Sequence, residues 1–412
     1  MVFFQPKTIV MNTAIRGQFP SLQRLHQDKP LVYFDGPAGS QVPQSVLDAM
    51  TNYYKNSNAN THGQFITTHE TDQLMERARD TVAAFLGAED GHTISFGQNM
   101  TTLNFALSRA IGRVLQAGDE VLITQLDHEG NRGPWLSLRE RGIIVREVKM
   151  RMDGTLNYED LESKLNDRTR LVAMGYASNF FGTVNDVKLV RQMTHQAGAW
   201  LLIDAVHYAP HLPIDVQAVG CDFLLCSAYK FYGPHVGILY SRPGLLDRLP
   251  TDRLRTAPQV APYSIETGTL NHAAVAGVEA AVQFIASIGN GNTLRDRILS
   301  AFDTISSYEI GLARRLYDGL SAIKGISIKG PGMNVPHRAP TLVFTLDGKK
   351  PEEVCRHLAA HGVCAWDGHF YALRATEVMG LLEQGGVTRM GMMVYNTADE
   401  VDYTLDVLKL KF

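Results

Sequence analysis

The sequence predicts an α/β protein: a large unit on a mostly parallel, seven-stranded sheet, then a smaller α/β unit toward the C-terminus. Seven short apolar runs alternate with helical patterns between residues 92 and 241. Near Asn292 the pattern changes to one long helical stretch followed by a β-rich segment. The 412 residues also exceed the ~250–300 at which a single hydrophobic core stops growing, so two domains are expected.

In chain order the runs are HTISFG (92–97), EVLITQ (120–125), IIVREVKM (143–150), RLVAMGYA (170–177), WLLIDA (200–205), FLLCSA (223–228) and VGILYS (236–241). Strands separated by helices form parallel sheets covered on both faces. Too few residues separate the last two runs for a helical crossover, so that pair is expected to be antiparallel. The stretch LRDRILSAFDTISSYEIGLARRLYDGL then reads as a long helix. It leads into ISIKG, TLVFTL, VCAW and VTRMGM, closed by a helix around DEVDYTLDVLKLKF. These boundaries assign residues 31–291 to the large domain, and 1–30 with 292–412 to the small one. Pro250 to Gly268 reads as a loop over an active site or a subunit neighbour.

With 45% hydrophobic and 20% charged residues the composition is that of an ordinary soluble globular protein. A net charge of -3 and a pI near 6.5 give no basic surface for nucleic acid or membrane, which favours small-molecule partners. Cys221, Cys226, Cys355 and Cys364 form no Cys-x-x-Cys pair and have no His partners at metal spacing. Neither a metal site nor a disulfide is expected, which suits a cytoplasmic location. The N-terminal stretch lacks a signal-peptide core, and no segment approaches the ~20 apolar residues of a membrane helix.

Chemistry concentrates between Trp200 and Tyr240. Asp204 ends one apolar run and Lys230 follows the next, the pair that pyridoxal phosphate requires. An amine condenses with the cofactor aldehyde as a Schiff base, and a carboxylate keeps the pyridine nitrogen protonated. Alone, Lys230 would read as a solvated lysine and Asp204 as a cap. Together, with Ser227, Tyr229, Phe231 and Tyr232 around the amine, they describe a partly dry pocket that lowers a lysine pKa. His128 reads either as a loop histidine or as an imidazole stacked on the cofactor ring. Asn179 suits a turn before Gly182 or a hydrogen bond to the cofactor's phenolate oxygen. The segment FGQNMTTL runs from a strand into a helix, whose first free N–H groups cradle phosphate.

An ordered set of segments spans nearly the whole chain: LVYFDGPAGSQVP (31–43), SNANTHG (57–63), DHEGNRGPW, ASNFFGTVND, LIDAVH, CSAYKFYGPHVGILY, ETGTLNH and RMGMMVYNTADEVD. On these segments the chain resembles the fold type I pyridoxal phosphate enzymes of the class V aminotransferase group, and within it the cysteine desulfurases. The resemblance implies Lys230 as the Schiff-base lysine, Asp204 as partner of the pyridine nitrogen, His128 as the stacking residue and Asn179 as a phenolate contact. His207 stands where desulfurases carry a glutamine. The backbone at Asn99 and Met100, with Ser227 and Tyr229, would hold the phosphate, and Tyr229 replaces the usual histidine. Thr269 looks like the threonine lent to the phosphate across a dimer interface, which implies a homodimer. Arg389 matches the arginine that binds the substrate carboxylate.

The segment Trp366-Asp367-Gly368-His369-Phe370-Tyr371-Ala372 departs from the desulfurase pattern, with Tyr371 in the place of the nucleophilic cysteine. A phenol does not accept sulfur as a persulfide. Asp367, His369 and Tyr371 are expected instead to steer the substrate. The function expected is Schiff-base and carbanion chemistry on an α-amino acid, in a lyase, decarboxylation or related reaction. The alternatives are a cysteine desulfurase or selenocysteine lyase using Cys364, or an aminotransferase. A non-catalytic cofactor-binding protein ranks last.

Overall fold

The computed structural model describes residues 14–410. All seven apolar runs form strands of one sheet: β1 Ile94–Gly97, β2 Glu120–Thr124, β3 Ile144–Val148, β4 Thr169–Gly175, β5 Trp200–Asp204, β6 Phe223–Ser227 and β7 Gly237–Ser241. Their spatial order is β1-β7-β6-β5-β4-β2-β3. Strands β2 to β6 run parallel to one another, while β7 is antiparallel to both β6 and β1. The β6–β7 pair is therefore the antiparallel one expected from its short connection.

The apolar runs are nearly continuous because both faces of the sheet are covered. Leu201 and Ile203 enter a core with the helices Ile66–Leu86 and His272–Ile288, whereas Leu202 enters a second core with the helix Met100–Gly112. Alternation along each strand thus supplies two apolar layers rather than one buried and one wet face.

The C-terminal part carries a second, antiparallel sheet of β8 Ile326–Lys329, β9 Thr341–Leu346, β10 Trp366–Gly368 and β11 Val387–Gly391, in the order β8-β9-β11-β10. The long helix Leu294–Ser321 packs on it through Leu312, Leu316 and Leu320. The segment expected to be β-rich also contains the helix Pro351–Ala360. Its signals were local: Pro at the first turn, Glu352 and Glu353 beside the positive end of the helix dipole, and Val354 and Leu358 one turn apart facing the core. VCAW divides as well. Val363–Cys364 pairs in parallel with Val32–Tyr33, and only from Trp366 does the chain join the small sheet.

Of residues 1–30, expected in the small domain, 1–13 lie outside the described residues. In the described remainder, Ile15, Phe19 and Leu22 pack in a core shared by one face of the large sheet and by Met393, Val394 and Tyr395 of the C-terminal part. Phe19 meets Tyr232 and Phe284 edge-on. Arg16 reaches Glu400 on the C-terminal helix at 2.6 Å, tying this segment to both parts. No described helix is long and apolar enough to cross a membrane.

Candidate active site

Beyond the carboxyl ends of β2, β4, β5 and β6 lies a cavity of about 440 Å³. Ligands in open α/β sheets occupy this position because the strand ends and following loops diverge there. Asn99, Met100, His128, Asn179, Asp204, His207, Ser227, Tyr229 and Lys230 all line it. Residues more than 100 positions apart are brought together by the sheet order.

Asp204 is the last residue of β5, and Ser227 the last of β6. A single 3-10 turn, Ala228–Lys230, then carries the lysine back over the sheet end. Its Nζ donates to the carbonyl of Pro37. Burial, with Arg389 adding repulsion, lowers the Lys230 pKa to about 7, against the pull of Asp204 and Asp35. Asp204 is pushed the other way, to about 7, by burial and the neighbouring Asp127, although the N–H of Val206 donates to its Oδ1 at 3.0 Å. Asp127, also in the cavity wall, takes the N–H groups of Gly175 (2.6 Å) and Thr124 (3.0 Å), and burial raises it to about 6.

At the other end of the cavity Asn99 caps the helix Met100–Gly112, its Oδ1 accepting from the N–H of Thr102 at 2.9 Å. The N–H of Met100 donates to Ser227 Oγ at 3.0 Å, so the hydroxyl and the helix start face one another. Gly237, opening β7, is required here. A Cβ at that position would come within 2.3 Å of the Asn99 carbonyl carbon. Tyr229 stacks on His235, with ring centroids 4.7 Å apart and planes 11° from parallel.

His128 is oriented by its own backbone. Its Nδ1 accepts from the N–H of Gly130 at 2.9 Å, and burial together with Lys230 and Arg389 lowers its pKa to about 4. The imidazole is neutral at pH 7. His207 is buried, with Nε2 3.0 Å from Thr341 Oγ1 and Nδ1 without a hydrogen-bond partner.

The remaining expected residues lie around or away from the cavity. Arg389, buried in β11, donates to the carbonyl of Asn179 at 2.9 Å, and the Asn179 amide donates to the carbonyl of Phe370 at 2.9 Å. Tyr371 is exposed, its ring 5.3 Å from that of His128 and its carbonyl accepting from the N–H of Glu129 at 2.7 Å. The N–H of Tyr371 donates to His369 Nδ1 at 3.1 Å. The His369–Tyr371 loop is thus fastened beside both His128 and Asn179. Asp367 is not brought there. The register pairs it with Thr388, and Trp366 with Arg389, so it lies on the opposite face of the sheet from Arg389, where its charge acts on Cys355. Thr269 is exposed and does not line the cavity, and neither does any described residue of the loop 250–268. That loop is held instead by Asp252 to Arg109 of the helix Met100–Gly112 at 2.9 Å and to Arg113 just past its end.

Sequence reasoning missed Asp127, His235 and Asp35. The signal for Asp127 was its position one residue before His128, just past the end of β2 as Asp204 is at the end of β5. Asp35 has a buried Oδ1 without a partner and electrostatic coupling to Lys230 and Arg389.

This donor set fits pyridoxal phosphate. The cavity holds a depressed amine, a carboxylate raised by burial and by Asp127, an unpartnered imidazole nitrogen, and a helix start opposed by a hydroxyl.

The class-V aminotransferase family model matches residues 32–404. The cysteine desulfurase of Enterobacter sp. (strain 638) is 33% identical over 411 residues, covering 96% of this chain and 97% of that protein. A probable cysteine desulfurase of Halalkalibacterium halodurans is 31% identical, covering 94% and 95%. Among solved structures, the cysteine desulfurase CsdA of Escherichia coli superposes with a TM-score of 0.84 at 26% identity, covering 96% of this chain and 97% of that one. The apo cysteine desulfurase of Thermococcus onnurineus NA1 gives 0.86 at 26%, covering 99% and 98%.

Proposed function

The chain belongs to the class-V aminotransferase family of pyridoxal phosphate-dependent enzymes, and from that premise we propose that it breaks a bond at the α-carbon of an α-amino acid. A lyase, decarboxylation or related reaction is the reading we favour. The observation that carries it is the burial of Lys230 and Asp204 at adjacent strand ends of one cavity, each with a pKa displaced to about 7.

When bound, the cofactor supplies an electrophilic aldehyde and an electron-withdrawing ring. Everything else falls to this chain. Lys230, partly neutral at pH 7, would hold the cofactor through its Nζ and, once released, could hold or return a proton at the substrate α-carbon. Asp204 keeps a proton on the pyridine nitrogen. His128, neutral and in the cavity wall, would cover the bound ring and exclude water from it. Asn179 and His207 serve the phenolate oxygen. The N–H groups at Asn99 and Met100, with Ser227 and Tyr229, take the phosphate, and Thr269 completes that site in a second copy of the chain, as a homodimer. Arg389 binds the substrate carboxylate. Residues 31–291 form the cofactor-binding unit, and 292–412 carry the arginine.

His369 and Tyr371 border the site and select the substrate, while Asp367, on the far face of the small sheet, takes no part in that. Tyr371 cannot take sulfur as a persulfide. Cys364 is a poor substitute because it does not line the cavity, and burial, with Asp35 nearby, pushes its thiol up to about 11. Direct sulfur transfer to a protein cysteine is therefore outside this reading, although the relatives bear the desulfurase name.

The test is a spectral screen. Purified protein supplied with pyridoxal phosphate should gain visible absorbance, Lys230→Ala should not hold it after dialysis, and one amino acid should perturb the band and yield a product identified by mass spectrometry. A chain that takes up no cofactor would overturn the proposal. Persulfide on Cys364 after incubation with cysteine would replace it with the desulfurase alternative.

A further inference from the structure

Thr341 opens strand β9 of the small sheet, and His207 follows β5 of the large one, 134 positions earlier in the chain. Their side chains meet at 3.0 Å between Oγ1 and Nε2, and both residues are buried, Thr341 completely. His207 is also part of the cavity wall. The pair therefore joins the two sheets directly at the site.

Two proton arrangements are open to it. If His207 carries its proton on Nε2 and donates to Thr341, the threonine hydroxyl proton has no acceptor among the described residues. The Nδ1 lone pair is then left bare as well. If Thr341 donates to Nε2 instead, the hydroxyl is satisfied and the imidazole proton resides on Nδ1. A single group then remains unmatched, an N–H on the ring nitrogen that lacks a partner. Leaving a buried donor or acceptor unmade incurs its desolvation cost, so the arrangement with one unmatched group wins over the one with two.

We propose that Thr341 is a positioning residue that fixes His207 as the Nδ1–H tautomer, making it a neutral hydrogen-bond donor for an anionic oxygen on the bound cofactor. This rests on the pyridoxal phosphate reading above, and it names the proton that the reading requires at the phenolate oxygen. Charge supports the assignment. Burial and the neighbouring His211, Lys230, Arg389 and His128 hold the His207 pKa well below the ordinary value, so the ring has one proton to place rather than two. Seen from the small sheet, β9 contributes a hydroxyl to the chemistry of the large one without touching a ligand. A valine in place of Thr341 would keep the shape and remove the instruction.

The tautomer is measurable without any activity. Full-length protein labelled with 15N-histidine, with and without pyridoxal phosphate, reports the protonated ring nitrogen by two-bond 1H–15N correlation, and His207→Gln identifies the resonance. The expected result is Nδ1–H in the wild-type chain, a shift toward Nε2–H or a mixture in Thr341→Val, and restoration in Thr341→Ser. Cofactor affinity, read from visible absorbance, should fall about tenfold in Thr341→Val and return in Thr341→Ser. An Nε2–H tautomer in the wild-type chain would overturn the proposal even if no variant folds. Failure of the cofactor reading looks different: no variant would take up pyridoxal phosphate, while the tautomer of cofactor-free wild type would still be Nδ1–H.

Discussion

The guanidinium of Arg389 lies 3.9 Å from the centroid of the Phe370 ring, so one face of the expected carboxylate binder is covered by an aromatic side chain. Its edge is partly committed as well, through Nη1 to the carbonyl of Asn179. Phe370 and Tyr371 hold this position with φ of +52° and +59°, a conformation that costs non-glycine residues about 1–3 kcal/mol each. Hydrogen bonds from the Asn179 amide and the Glu129 N–H to their carbonyls stabilise it.

A carboxylate pairs with arginine in the plane of the fork, so the Phe370 ring orients Arg389 rather than competing with substrate. Exchanging the ring for a flexible aliphatic chain removes a desolvated cation–π contact of up to ~2 kcal/mol. Phe370→Leu should raise the amino-acid concentration giving half-maximal spectral change by roughly 3–10-fold. Phe370→Tyr should leave it near wild type. A titration of the cofactor band with amino acid measures both.

Lys230 sets a pH dependence with a defined sign. Its pKa of about 7 means that the neutral amine grows as pH rises through that value, and uptake of pyridoxal phosphate by cofactor-free protein should accelerate along the same curve. Two neighbours should move the midpoint in opposite directions. Arg389→Gln removes a positive charge and shifts it upward; Asp35→Asn removes a negative one and shifts it downward. Stopped-flow absorbance at several pH values distinguishes them, and equal shifts of the same sign would refute the electrostatic assignment.

Asp204 makes the cofactor-free protein less stable at high pH. Its folded pKa of about 7 lies above the ordinary 3.8, so between those values the native chain holds a proton that the unfolded chain releases. Stability from this group is therefore lost as pH rises from about 4 to 7. Asp204→Asn should stabilise cofactor-free protein at pH 8 by on the order of 2–4 kcal/mol, an upper range because Asp127 shares the coupling. The same variant should lose cofactor affinity, since an amide cannot balance a pyridinium. Urea melts with and without cofactor test both halves.

The sheet strands, and with them Lys230, Asp204, His128 and Asn179, were legible because continuous apolar runs mark strands buried on two faces, and ligands gather where such strands end. Contacts between the two sheets were not. The Thr341–His207 and Phe370–Arg389 pairs depend on how the small sheet is placed against the large one, which no local pattern encodes. Asp367 shows a finer limit. It adjoins Trp366 in sequence, but strand parity sends neighbours to opposite faces, so only the pairing with β11 reveals that it turns away from Arg389. The helix Pro351–Ala360 is a different case, because its caps and periodicity were present and the surrounding β-rich segments obscured them.

The segment leading to Thr269 is also held by a buried ion pair. Arg79 on the helix Ile66–Leu86 meets Glu266 with two hydrogen bonds of 2.7 and 2.8 Å, and both side chains are almost fully shielded from water. Glu266 also accepts from the N–H of Phe96 at 2.7 Å, while Arg79 donates to the carbonyl of Ile94 at 2.6 Å. Breaking such a pair on one side strands a buried charge and costs about 3–5 kcal/mol, so Arg79→Met should lower the unfolding free energy by that amount. Replacing both, as Arg79→Met with Glu266→Leu, removes the stranded charge and should recover part of the loss. Recovery should stop short of wild type, because the Phe96 N–H and the Ile94 carbonyl on β1 would then lose their side-chain partners. If Thr269 serves a neighbouring subunit as proposed, the single variant should also weaken cofactor retention more than its stability loss explains, because Glu266 fixes the chain three residues upstream. Urea denaturation of the single and double variants, with cofactor retention after gel filtration, checks each step. A single variant as stable as wild type would show that the pair contributes nothing.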